Sequence, residues 1–246
     1  MFELTLSTTI DKQVYLSKLF AKLDSEIKQD SGIIAKQNNN GRAYLMMAVD
    51  ESKKEYYKAK VFDHIVLMIV DDYKYSFFKE NLISNEDSEI YGAFLKSVTK
   101  FDQECDKEIV MGQIQLEGEV LVDSLFHFKL TALRARWKKT VDIINQNNIT
   151  SKTEMMNDVL RYLLAVSEGE AASAEIVISP KSLSISNCCQ NKRFKTNFYG
   201  KSNFFAEIVK LNPAKINLKS YHINANTEDI KQKLISIFGE KIYLIN

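Results

Sequence analysis

Residues 215–245 read KINLKSYHINANTEDIKQKLISIFGEKIYLI, and the fold class follows from how this stretch divides. KINL is a short strand. Thr227 stands where it would cap the helix EDIKQKLISIF, and Gly239 stops that helix before a second strand, KIYLI. Strand, helix and strand in this order predict a right-handed crossover with the two strands parallel. Upstream, Ser202 to Leu211 reads as a helix ended by Pro213, while AEIVIS and SLSIS are strands joined by a turn at Pro180 and Lys181.

Further back the pattern is helical from about Lys53 to Glu170, with no proline to interrupt it. One long helix runs through Ala59, Phe62, His64, Ile65, Met68, Ile69 and Tyr73, and a second through Ile90, Phe94, Leu95, Val98 and Phe101. Gly112 and Gly118 bracket a break. Ser151 with Glu154 reads as a capping box for a helix burying Met155, Met156, Val159, Leu163 and Val166. At the amino terminus FELTLST alternates as a strand. Thr8 or Thr9 is placed to cap the next helix, Gly32 to stop it, and NNNG to join IIAKQ and RAYLMMAV as a hairpin. The expected class is α+β. A region of about four helices (51–172) lies between a β-α-β-β unit (1–50) and a C-terminal α/β unit (173–246), in one integrated globular body.

At 45% apolar and 26% charged residues, the composition of this 246-residue chain is that of an ordinary globular protein. MFELTLSTTIDK lacks the features of a secretory signal, and the longest apolar stretch, Ile65 to Val70, is far too short to span a bilayer. Cys105, Cys188 and Cys189 cannot all pair, which points to a reducing cytoplasm. Charge is uneven along the chain. Residues 1–123 hold 15 Lys/Arg against 22 Asp/Glu, or −7, and residues 124–246 hold 18 against 10, or +8. The two halves can answer each other, or the basic half can bind an anionic partner.

Residues 126–148, FHFKLTALRARWKKTVDIINQNN, test that choice locally. Val122, Phe126, Leu130, Leu133, Trp137, Val141 and Ile144 form one apolar stripe at helical spacing, with cations along both flanks. Flanking cations suit a buried face whose charged rim snorkels to water.

Catalytic and metal motifs are missing. His64, His127 and His222 stand in separate elements, Cys188 and Cys189 lack a CxxC spacing, and no phosphate-binding glycine loop or GxSxG elbow occurs. Asp71 and Asp72 read as an acidic helix surface. No enzyme activity, cofactor or metal is expected. The sharpest candidate is KRFKTNFYGKSNFF, from Lys192 to Phe205, which interleaves cations with aromatic rings as a single-strand nucleic-acid binder does. The same residues read, more simply, as a surface loop leading into a helix with Phe198, Phe204 and Phe205 in the core. Its candidate binding residues are Lys192, Arg193, Phe194, Lys195, Phe198, Tyr199 and Lys201.

Leu125-Phe126-His127-Phe128-Lys129-Leu130, Trp137, Val141 and Asp142, followed by Val159-Leu160-Arg161-Tyr162-Leu163 and Glu168, resemble the YtxC-like sporulation proteins of endospore-forming Firmicutes. Pro213 to Ile216, Ile230 and Ile237-Phe238-Gly239 extend the resemblance. Lys129 replaces an arginine of that pattern, Ser124 replaces a glycine, and the cysteine-bearing tail is not seen. The resemblance implies a cytoplasmic, sporulation-associated protein. With the residue reading it gives a non-catalytic binding protein with a protein partner; the alternative is a nucleic-acid binder using the basic C-terminal half.

Overall fold

The computed structural model describes residues 1–83, 89–167, 169, 171–187, 193–221 and 224–245. In chain order, β1 (Phe2–Thr9), α1 (Gln13–Gln29), β2 (Ile33–Asn39) and β3 (Arg42–Val49) precede α2 (Lys54–Leu67), α3 (Lys74–Asn81), α4 (Tyr91–Lys100) and α5 (Gln103–Met111). Then come β4 (Gly118–Leu121), the single turn α6 (Val122–Ser124), α7 (Thr131–Gln146) and α8 (Thr153–Val166). The remainder is β5 (Ser173–Ser179), β6 (Ser182–Asn187), β7 (Arg193–Thr196), α9 (Lys201–Leu211), β8 (Lys215–Ser220), α10 (Ala225–Phe238) and β9 (Ile242–Ile245). The class is α+β, and no helix among the described residues is long and apolar enough to cross a membrane.

The chain forms two compact units, Met1–Ser76 with Asp102–Lys139, and Phe77–Phe101 with Thr140–Asn246. Where composition suggested contiguous segments 1–50, 51–172 and 173–246, the units are discontinuous and each takes part of the helical region. This regrouping also removes the charge asymmetry. The first unit holds 17 Lys/Arg and 18 Asp/Glu, or −1, and the second 16 and 14, or +2. The acidic residues 102–123 and the basic residues 129–139 fall in the same unit.

In the first unit the sheet order is β2-β3-β1-β4, with β1 antiparallel to β3 and parallel to β4. Asn40 and Gly41 take φ of 48° and 73°, the pair of positive angles that a two-residue hairpin loop requires. Leu16, Leu19, Leu23 and Ile27 of α1 are buried with Leu4, Leu6, Leu45 and Met47 of the sheet, each at 4% exposure or less. Burying each such side chain contributes about 1.5–3 kcal/mol. Gly32 follows α1 because a Cβ there would lie 2.8 Å from the Ala48 carbonyl oxygen.

Four local expectations need correction. Neither Thr8 nor Thr9 caps a helix, since their polar groups turn instead to the Asp123 carboxylate. β4 lies inside the stretch read as helical; four residues are too few to show a period. The stretch from Val122 is not one helix, because Leu125–Lys129 forms a wide π turn and Leu130 breaks the run before α7. Its apolar stripe is nonetheless buried throughout, with Trp137 at 1% exposure. Finally, α2 passes into a π turn at Met68–Tyr73, which lets Met68, Ile69 and Val70 all be buried in succession.

In the second unit the sheet order is β7-β6-β5-β8-β9. β5, β8 and β9 are parallel, and β8-α10-β9 is the crossover that residues 215–245 predict. The helix cap differs in detail. Asn224 caps α10 by accepting from Thr227 N at 2.9 Å, and the Thr227 hydroxyl accepts from Asn224 N in return. Likewise α8 begins at Thr153, beyond Ser151, whose hydroxyl donates to the Asn148 carbonyl at 2.7 Å. The buried stripe of α8 is Met156, Leu160, Leu163 and Leu164, one position round from the expected one; Val166 is 54% exposed.

Candidate binding face

The register of the second sheet sorts its side chains onto two faces. Ala174, Ile176, Ile178, Leu183, Ile185, Ile216 and Leu218 are all at 1% exposure or less. The alternate positions carry Glu175, Val177, Ser184, Ser186, Arg193, Lys195, Asn217, Lys219 and Tyr243. One face is therefore core. The other is a more open platform, half-buried at its centre with Ser184 at 5% exposure and exposed at its edges, and two rows run across its strands. The first is Arg193, Ser186, Glu175, Asn217 and Tyr243; the second is Lys195, Ser184, Val177, Lys219 and Ile245.

At about 4.8 Å per strand, Lys195 and Lys219 stand roughly 14 Å apart at their backbones, with small and neutral side chains between them. Lys215, two residues before Asn217, adds a fourth cation and lies with Nζ 4.4 Å from the Tyr243 ring centroid. Lys219 reaches Glu175 at 3.2 Å. Arg193 and Lys195 make no ion pair among the described residues. Arg193, Lys195, Lys215 and Lys219 against Glu175 leave the described part of the face at +3.

The sequence candidates are thus divided. Arg193 and Lys195 are exposed on the platform, because β7 is an edge strand and its period of two turns them outward. Phe194 lies opposite Ile185 and points to the core side. Phe198 is half-buried in the turn Phe198–Gly200, where Asn197 accepts from Tyr199 N, and Tyr199 is 99% exposed. Lys201 is engaged by Glu89 at 3.0 Å, and Lys233 binds that same carboxylate at 3.0 Å. Lys192, Cys188, Cys189, His222 and Glu168 lie outside the described residues. Sequence reasoning missed Lys215, Lys219 and Tyr243. Alternation in KINLKS, with Ile216 and Leu218 inward, was the signal that places the two lysines together.

In the first unit several groups with displaced protonation lie inside packed networks. Asp123 accepts from Tyr73 at 2.6 Å, Thr9 N at 2.9 Å and Arg42 at 3.1 Å. Burial alone would raise its pKa, but the Tyr73 hydroxyl, Lys12, Thr9 N–H and Arg42 together hold it below the usual carboxylate range. Asp106 binds Lys74 at 2.6 Å and Trp137 Nε1 at 2.9 Å, and burial draws the Lys74 ammonium below its ordinary pKa. Asp71 is exposed as expected, but Asp72 is half-buried, and burial first, then the charge of Asp71, pushes it up to about 6. His64 is half-buried against the Tyr15 carbonyl, and burial lowers its pKa.

Arg134 and Arg136 act within their own unit. Arg134 donates to the His127 carbonyl at 2.9 Å, and Arg136 pairs with Asp102 and Asp106. The run from Leu125 to Val141 that carries the sequence resemblance is in large part core: Leu125, Phe126, Leu130, Leu133, Trp137 and Val141 are all buried. Compared with protein-family models, with curated proteins and with solved structures, the chain finds no match.

Proposed function

We propose that this protein is a non-catalytic binding protein whose contact surface is the open face of the second sheet, and that the ligand is single-stranded nucleic acid. The observation that carries the reading is the platform itself: four cations and one carboxylate on the more exposed face of the sheet, with Tyr243 at one edge. Phosphates can bridge the cation rows, while the half-exposed Tyr243 ring offers a base a stacking surface. Ser186, half-buried between Arg193 and Glu175 in the first row, is short enough to let a backbone approach and can donate to phosphate oxygens. A setting in sporulation is proposed on the sequence resemblance alone.

The test is fluorescence anisotropy with a labelled 20-residue oligothymidylate. With three or four phosphate contacts, affinity should fall roughly 20- to 50-fold between about 50 and 200 mM salt. Arg193→Glu with Lys195→Glu should abolish that dependence, and Tyr243→Ala should weaken binding by about 1–3 kcal/mol. Absence of binding at both salts would overturn the reading.

A further inference from the structure

β4 forms one edge of the first sheet, paired on one side to β1. Leu116 and Val120 turn inward and are buried at 1% and 5% exposure. The alternate residues, Glu117, Glu119 and Leu121, therefore share the outer face. Directly after β4 the π turn Leu125–Lys129 buries Phe126 but leaves Phe128 79% exposed. A cleft of about 400 Å³ opens here, lined among others by Glu117, Glu119, Leu121, Leu125, Phe128 and Lys129. An open strand edge beside exposed apolar side chains is a template for strand addition, which proteins ordinarily blunt.

We propose that this edge docks an extended segment of a protein partner, added as a strand beside β4. Its outer face would carry an apolar residue against Leu121 and Phe128 and a Lys or Arg two positions away against Glu119. Spacing by two follows from strand alternation: Glu119 and Leu121 stand on one face, so the groups that meet them must also be two apart. Charge selects the occupant. Glu117 and Glu119 form no ion pair among the described residues and, against the one cation Lys129, leave the cleft lining at −1, which disfavours nucleic acid. A second copy pairing β4 to β4 would bring these carboxylates together, which like charges oppose. A basic, apolar segment relieves both. β4 belongs to the first unit and the platform to the second, and neither reading depends on the other.

The test is titration of the full chain into a fluorescein-labelled heptapeptide, Thr-Lys-Thr-Ile-Thr-Lys-Thr, with a Lys-to-Glu version as control. Saturable binding at tens of micromolar is expected, about tenfold or more weaker for the control peptide. Phe128→Ala and Glu119→Lys should each weaken it about tenfold or more. Both side chains are exposed, so the variants should keep the parent circular dichroism and melting temperature. Three results would each overturn the proposal: no binding at about 1 mM peptide, equal affinity for both peptides, or affinity unchanged in both variants. Sedimentation showing a dimer that Phe128→Ala dissolves would assign the edge to a second copy instead.

Discussion

Asp106 is fully buried and faces Lys74, Trp137 and Arg136. The apolar spacing of residues 122–144 was enough to bury Trp137, but not to give its indole a partner, since Asp106 is distant in sequence and nothing local points to it. Removing that carboxylate leaves a buried ammonium without its anion, so Asp106→Asn should cost about 3–5 kcal/mol. Trp137→Ala should cost a similar amount, about 3–5 kcal/mol. Urea midpoints check both, and the double variant should lose less than the sum because the two share one network. Asp72 behaves oppositely to a paired carboxylate. Its folded pKa, about 6, lies above the unfolded value, 3.8, so its contribution is fully present below pH 3.8 and is lost as pH rises through 6. Asp72→Asn should therefore raise the melting temperature at pH 7 and leave it nearly unchanged at pH 4. After allowance for solvent screening the gain at pH 7 is about 1 kcal/mol.

Strands and helices with a clear period were legible in the sequence. The N-terminal β-α-β-β order, the hairpin at Asn40 and Gly41 and the closing β-α-β crossover all follow from alternation and turn chemistry. The misses were short elements and caps. β4 and β7 have four residues each, too few to show a period, and both gain their place from a neighbouring strand. The caps went wrong where more than one polar residue could serve. At α10 the sequence offers Asn224 and Thr227, and the structure uses both, reciprocally. Asn224→Ala should then destabilise by about 1 kcal/mol. Ser151→Ala should cost less than the cap value, because Ser151 does not cap α8; thermal melts of the two variants provide the comparison. The platform was half legible: alternation alone turns Lys215 and Lys219 to one face, but only the strand order brings them beside Arg193 and Lys195.

Across the whole molecule, charge summed along the chain proved a poor guide to charge in space. The apparent −7 and +8 halves become −1 and +2 in the compact units, because residues 102–139 return to the first unit and carry both signs with them. Basic character survives as a local property of one sheet face. The same regrouping makes a fragment prediction. Residues 1–101 lack β4, Asp106 and Trp137, so this piece should show no cooperative melt by circular dichroism, although it contains three of the four strands of its sheet.

The discontinuity also sets an order on biogenesis. α4 leaves the ribosome before the remainder of the first unit, yet its partners within its own unit, α8 and α9, end at Val166 and Leu211. At typical synthesis rates Phe94, Leu95 and Val98 would wait roughly 5–20 s for α9 to be made. For that interval a nascent chain presents an apolar helix face with nowhere to bury it, which is the surface that a holding chaperone recognises.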